Sequence, residues 1–152
     1  MITLKDMKKA VITTLQKEFT YPCYEFGVVE GMKNPCFFVR VTESGELNTK
    51  NTYRHNYSIE IVVMYGKKES GNESKVLEDI EKIKQMFLAT MQTEKRAVPV
   101  SDFEIRYTGE RGNVPQITFD SEFLDSIYKP EEAEMMKQVI IKEVLQHGDA
   151  SD

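Results

Sequence analysis

The side chains best suited to chemistry stand at alternating positions of short extended runs. Glu60, Asp102, Glu104, Asp120 and Glu122 all point outward when the apolar residues of their runs point inward. Carboxylates gathered in this way can share acid and base roles or hold a divalent cation. A solvated sheet face explains them more simply, because the other parts of a reaction centre are missing. Gly66-Lys67-Lys68 has Ile61 where a phosphate-binding loop needs its upstream glycine. Cys23, Cys36, His55 and His147 match no zinc-ligand spacing. His55 lies on the apolar side of its run between Tyr53 and Tyr57, which suits a satisfied core or rim histidine better than a general base. Arg54 and Arg106 accompany the carboxylates on the outward face and are their natural ion-pair partners. No catalytic residue, cofactor or metal site is assigned.

The elements that carry these residues follow from hydrophobic period and turn chemistry. Thr3 with Asp6 forms a capping box using a shorter acid, and Leu4, Met7, Val11 and Leu15 then share one helical face to about Phe19. Tyr21-Pro22 ends that helix. Strands are expected at Cys23 to Val29 and Cys36 to Glu43, joined as a hairpin through Gly31 and Asn34-Pro35. The cleanest alternation runs from Tyr53 to Tyr65, with Tyr57, Ile59, Ile61 and Val63 on one side and Arg54, Ser58 and Glu60 on the other. Val76, Ile80, Ile83, Phe87 and Met91 place a second helix over Glu73 to Met91. Strands at Asp102 to Tyr107, with Phe103, Ile105 and Tyr107 inward, and at Gln116 to Phe123 form a further hairpin about Gly109 to Pro115. Pro130 with Glu131 and Glu132 opens a third helix to about Leu145, before a polar tail.

The order α-β-β-β-α-β-β-α defines an α+β fold, with a largely antiparallel sheet of about five strands covered on one face by helices. Residues 1–128 form the main body, and 129–152 supply the C-terminal helix and frayed tail of the same domain. At 152 residues the chain suits one domain with one core. A net charge of −5 argues against tight binding to duplex nucleic acid, which needs clustered Lys and Arg. No apolar run approaches the roughly 20 residues of a membrane-spanning helix, and the lysine-rich start carries no secretory core. A cytosolic chain without a membrane partner is expected, with Cys23 and Cys36 as buried, reduced thiols.

Several segments resemble the tail terminator family of phages and prophages of Gram-positive hosts. They are the opening helix, Glu30-Gly31 with Pro35-Cys36-Phe37-Phe38-Val39, Tyr53-Arg54 with Asn56-Tyr57 and Ile59-Glu60, and Thr118-Phe119-Asp120. The long acidic segment after Tyr128 departs from the family pattern. The resemblance implies a non-enzymatic assembly protein that forms a ring, typically of six subunits. Such a ring caps the tail tube, stops its polymerisation and joins the tail to the head connector. The implied partners are further copies of this chain, the tail tube protein and a head completion or connector protein, with DNA only in passage. The implied locations are the host cytoplasm during assembly and then the virion tail. Arg54, Glu60, Glu104, Arg106, Asp120 and Glu122 would line the lumen or face a neighbouring subunit. The loops Thr42 to Thr52 and Gly66 to Ser74 and the third helix are further candidates for subunit contact. The alternatives are a head-tail adaptor and a cytosolic ligand-binding or enzymatic α+β domain, the latter monomeric or dimeric with a pocket at its carboxylates.

Overall fold

The capping signal at the start of the chain is realised in full. In the computed structural model, which describes residues 1–26, 30–66 and 72–127, the Thr3 amide donates to Asp6 Oδ2 at 2.9 Å and the Asp6 amide to Thr3 Oγ1 at 3.2 Å. Helix α1 (Leu4–Glu18) starts there, with Met7, Ala10, Val11 and Leu15 buried. Leu4 does not share that face and is 45% exposed. Ile2 takes the buried place instead. Its amide donates to Asp125 Oδ2 at 2.7 Å and its carbonyl accepts the Tyr57 hydroxyl at 2.9 Å, which fixes the residue over the sheet.

After β1 (Cys23–Tyr24) the chain forms two long strands, β2 (Cys36–Thr49) and β3 (Thr52–Met64). Helix α2 (Glu73–Met86) follows, then the short β4 (Thr90–Gln92) and β5 (Ala97–Pro99), and finally β6 (Ser101–Thr108) and β7 (Val114–Ser126). The main sheet has the order β1-β2-β3-β7-β6, antiparallel except at β1 and β2, while β4 and β5 pair separately. The α+β class and the expected order hold through β7. The third helix and tail, along with much of the Gly66 to Ser74 loop, lie outside the described residues.

Three local expectations are corrected. The first two strands are no hairpin: β1 runs parallel to β2, with Cys23 opposite Phe37. The long connection from Glu25 to Pro35 gives the chain length to return to its starting end, as parallel pairing requires. The segment Thr42 to Thr52 is strand rather than loop, closed by a tight turn at Lys50 and Asn51. Its residues on β2 are exposed and, apart from Leu47, mostly polar. The second helix stops at Met86, with Phe87 as its cap, and Met91 reaches the core from β4. In addition, Tyr107 is 48% exposed rather than inward, because it stands at the rim beside Val76 and Gly112.

One core lies between the helices and a single sheet face. β3 contributes Tyr57, Ile59, Ile61 and Val63, β7 contributes Ile117, Phe119 and Phe123, and β2 contributes Phe37 and Val39. Phe87 of α2 packs on Phe119 with ring centroids 4.9 Å apart, and Phe19 meets Phe37 edge-on at 5.2 Å. Asp79, buried on α2, accepts the hydroxyls of Tyr21 at 2.9 Å and Tyr65 at 2.8 Å, which ties that helix to the sheet. Both thiols are free, Cys36 buried and Cys23 half-buried, and burial pushes both up from the ordinary thiol range. A resting cysteine of this kind is a weak nucleophile.

Phe119→Ala should cost about 3–5 kcal/mol, because the void opens in the core between Phe87 and Phe103 and cannot collapse freely. Urea unfolding checks this as a lower midpoint at unchanged slope. Asp6 gives a second expectation. The Lys95 ammonium and then the Thr3 amide hold its carboxyl at about 2, below the ordinary 3.8. The stability it adds is therefore fully present above 3.8 and is lost as pH falls through about 2. Thermal melts from pH 5 to 2 should show a shallower acid decline for Asp6→Asn than for the unchanged chain.

Candidate functional site

The sheet face turned away from the helices is built from polar rows. One row across β2, β3, β7 and β6 is Arg40, Glu60, Thr118 and Glu104. The next is Thr42, Ser58, Asp120 and Ser101. Beyond the reach of β6 follow Ser44, Asn56 and Glu122, then Glu46, Arg54 and Leu124. On the opposite side Arg106 stands with Gln116 and Val62. Adjacent strands are about 4.8 Å apart and rows about 7 Å apart, so these side chains are within reach of one another.

All six residues singled out by alternation therefore share one face, as two clusters. Glu60, Glu104, Arg106 and Asp120 line a shallow groove of about 360 Å³ together with Arg40 and Asp102. Arg54 and Glu122 belong to a neighbouring hollow with Glu46 and Asn56. The Arg106 Nε donates to Glu104 Oε1 at 2.8 Å and the Ser58 hydroxyl to Asp120 Oδ1 at 3.0 Å. Arg54 sits 3.9 Å from both Glu46 and Glu122 and donates to Asn48 Oδ1 at 3.2 Å. Asp102 occupies a register irregularity of β6 at φ 54°, a left-handed conformation that aspartate tolerates better than most residues.

Arg40 and Glu46 were not singled out from sequence, although Arg40 follows the same alternation as Thr42. Glu46 was hidden because its strand was expected to end at Glu43. Arg40 turns its guanidinium over the Phe26 ring, 4.1 Å from the centroid, and so leans toward the sheet edge. Among the described residues no group of three or more metal-ligating side chains converges. The carboxylates are instead spread along rows, partnered by arginines and hydroxyls.

The motif Glu30, Gly31, Pro35, Cys36, Phe37 and Phe38 lies elsewhere and has a building role. Gly31 adopts φ 75°, the Asn34-Pro35 peptide is cis, and Cys36 and Phe37 are fully buried at the start of β2. Phe38, on the other side of the strand, packs against Tyr24 and Phe26. Glu30 is exposed on the connection. This motif shapes the β1 edge of the sheet.

The described residues form a two-layer α+β domain with a broad charged sheet face. The chain is a member of the phage tail terminator family, whose model, described as phage tail terminator protein, matches residues 6–134. Its family is one of structural proteins of the phage tail. No curated protein matches the sequence. One solved structure, of a protein without a descriptive name, is 13% identical and covers 83% of this chain and 94% of its own, with a TM-score of 0.42. Among the described residues no helix is long and apolar enough to cross a membrane.

Because the arginines of the face are exposed, their pairs should add little to folding. Arg54→Ala and Arg106→Ala are each expected to change unfolding free energy by less than about 1 kcal/mol. Either variant losing several kcal/mol in chemical denaturation would show that the pairs support the fold rather than the surface.

Proposed function

We propose that the chain forms a ring, typically of six copies, that closes the head-proximal end of a tail tube, prevents further tube growth and then receives the head connector. The observation that carries this reading is the family match over most of the chain, and the fold supports it with surface features. Capping needs one surface complementary to the last tube ring and another without a site for the next tube subunit. That is a problem of binding geometry, with no reaction to catalyse. A rotationally repeated ring uses heterologous contacts, in which two different patches of one chain meet between neighbours. β6 lies at one edge of the sheet, and beyond Phe38 β2 has no strand on its outer side among the described residues. These two edges run in opposite directions, so neighbours related by an axis along the strands would meet them antiparallel.

The charged face then lines the lumen in this reading. Carboxylates there repel phosphate and leave DNA free to move, an effect that salt confines to about 8 Å. The rival placement packs the same face against another subunit, with Arg54 and Arg106 meeting carboxylates across the contact.

Light scattering over a concentration series, followed by electron microscopy after mixing with purified tail tubes, tests the central reading. Expected are rings in solution or added density at one tube end only. A monomer that ignores tubes overturns it and favours a head-tail adaptor or a ligand-binding domain. Replacing Glu60, Glu104, Asp120 and Glu122 together with lysine is expected to leave the fold intact and to reduce infectivity through retarded DNA passage. Unchanged infectivity removes the lumen assignment.

A further inference from the structure

A charge cluster around one buried residue lies on the other side of the sheet, where the outer half of the β2–β3 hairpin meets β7 and the first residues of the chain. His55 of β3 is 1% exposed. Its Nδ1 is 2.7 Å from Glu43 Oε1 on β2, and its Nε2 is 3.2 Å from Asp125 Oδ2 on β7. A neutral imidazole donates from one nitrogen and turns a lone pair outward at the other. It can satisfy one of these carboxylates only. The imidazolium donates to both, so the geometry calls for the charged ring.

The surroundings hold the ring in that position. Tyr57 stacks on it at 5.0 Å and 17°, Tyr53 meets it edge-on at 4.9 Å, and Phe123 closes the β7 side at 5.1 Å. Asp125 Oδ2 also accepts the Ile2 amide, and the Tyr57 hydroxyl donates to the Ile2 carbonyl. Burial raises the Asp125 carboxyl, but the Ile2 amide, His55 and the chain's amino terminus outweigh it and leave the group below its ordinary value. Burial and the charges of Glu43 and Asp125 push Tyr57 up, which keeps it a neutral donor. The remaining charges nearby are Asp6 of α1, held by Lys95, and Arg96, whose guanidinium lies over the Phe123 ring.

We propose that His55 is a proton-operated clasp. As an imidazolium it joins Glu43 to Asp125 and so tightens the outer half of the hairpin and the N-terminal segment on β7; when it loses its proton, one of the two links is lost and both loosen. The clasp is independent of ring assembly. The two carboxylates hold the imidazolium, so the clasp is closed while the ring carries its proton. Asp125 acts oppositely, because its carboxyl is depressed in the folded chain and its share is lost as pH falls.

The test uses the full chain carrying His147→Gln, so that a single imidazole reports. Ring ¹⁵N shifts follow the protonation of His55, and amide hydrogen exchange, corrected for the intrinsic rate at each pH, follows Ile2 to Met7 and Glu43 to His55. Expected is a doubly protonated ring while the hairpin is protected, and faster exchange in both segments by about ten-fold or more as the proton leaves, with Ile61 to Val63 unchanged. Glu43→Gln, which keeps the size of the side chain, should move the transition to lower pH. A neutral His55 in the protected hairpin overturns the proposal. So does exchange that ignores the His55 titration, or a transition that Glu43→Gln leaves in place.

Discussion

The structure depends on the two-sided character of β3. This strand has β2 on one flank and β7 on the other, so its backbone donors and acceptors are engaged on both edges over most of its length. With its position fixed by those ladders, period two sends Tyr57, Ile59, Ile61 and Val63 under the helices and Arg54, Ser58 and Glu60 to the opposite face. A register slip by one residue would bury charges and expose the core. Burial on one side therefore specifies the charge pattern on the other, even though the charges contribute little to stability.

Where the helices end, the way the sheet is held changes. The inner half of β2 and β3 is secured by Phe37, Val39, Ile61 and Val63 against α1. Farther out there is little apolar surface to bury, and His55, Glu43, Asp125 and the Ile2 amide take over with hydrogen bonds. Gly45, opposite His55, leaves room for the Tyr53 ring, and a Cβ there would run into it. Polar clasps of this kind are more directional than apolar packing and more sensitive to protonation. That contrast is why the proposed clasp would act on the outer hairpin rather than on the inner sheet.

Much of this was legible in the sequence, and the limits have physical causes. Alternation from Tyr53 to Tyr65 was strong because one face is buried along nearly its whole length. Thr3 with Asp6 was readable because a cap is a local arrangement of four residues. The second half of β2 was invisible because Ser44, Glu46 and Asn48 look like loop when neither face is covered. β4 and β5 were missed because three residues are too few to show a period; their place depends on Met91 and Val98 reaching the core. The parallel pairing of β1 is decided by tertiary packing of Phe37 and Tyr21 against Phe19, and no local signal carries it. The six charged residues share one face because the outward position of each is set within its own strand. Their mutual spacing needed the order β2-β3-β7-β6, which alternation does not contain.

The distribution of pairs on that face bears on how it acts. Arg106 is engaged by Glu104, and Arg54 lies between Glu46 and Glu122, so both ends of the face are partly neutralised within one chain. Arg40 is the cation opposite Glu60 in the register, yet its guanidinium is drawn over Phe26 at the sheet edge. Asp120 has a serine hydroxyl for a partner. The middle rows therefore keep the negative charge of Glu60 and Asp120, while the ends offset part of theirs. An uncompensated centre favours solvent and disfavours a polyanion. In the ring proposed above, open space before the centre is the arrangement that spares its carboxylates from being buried unpaired.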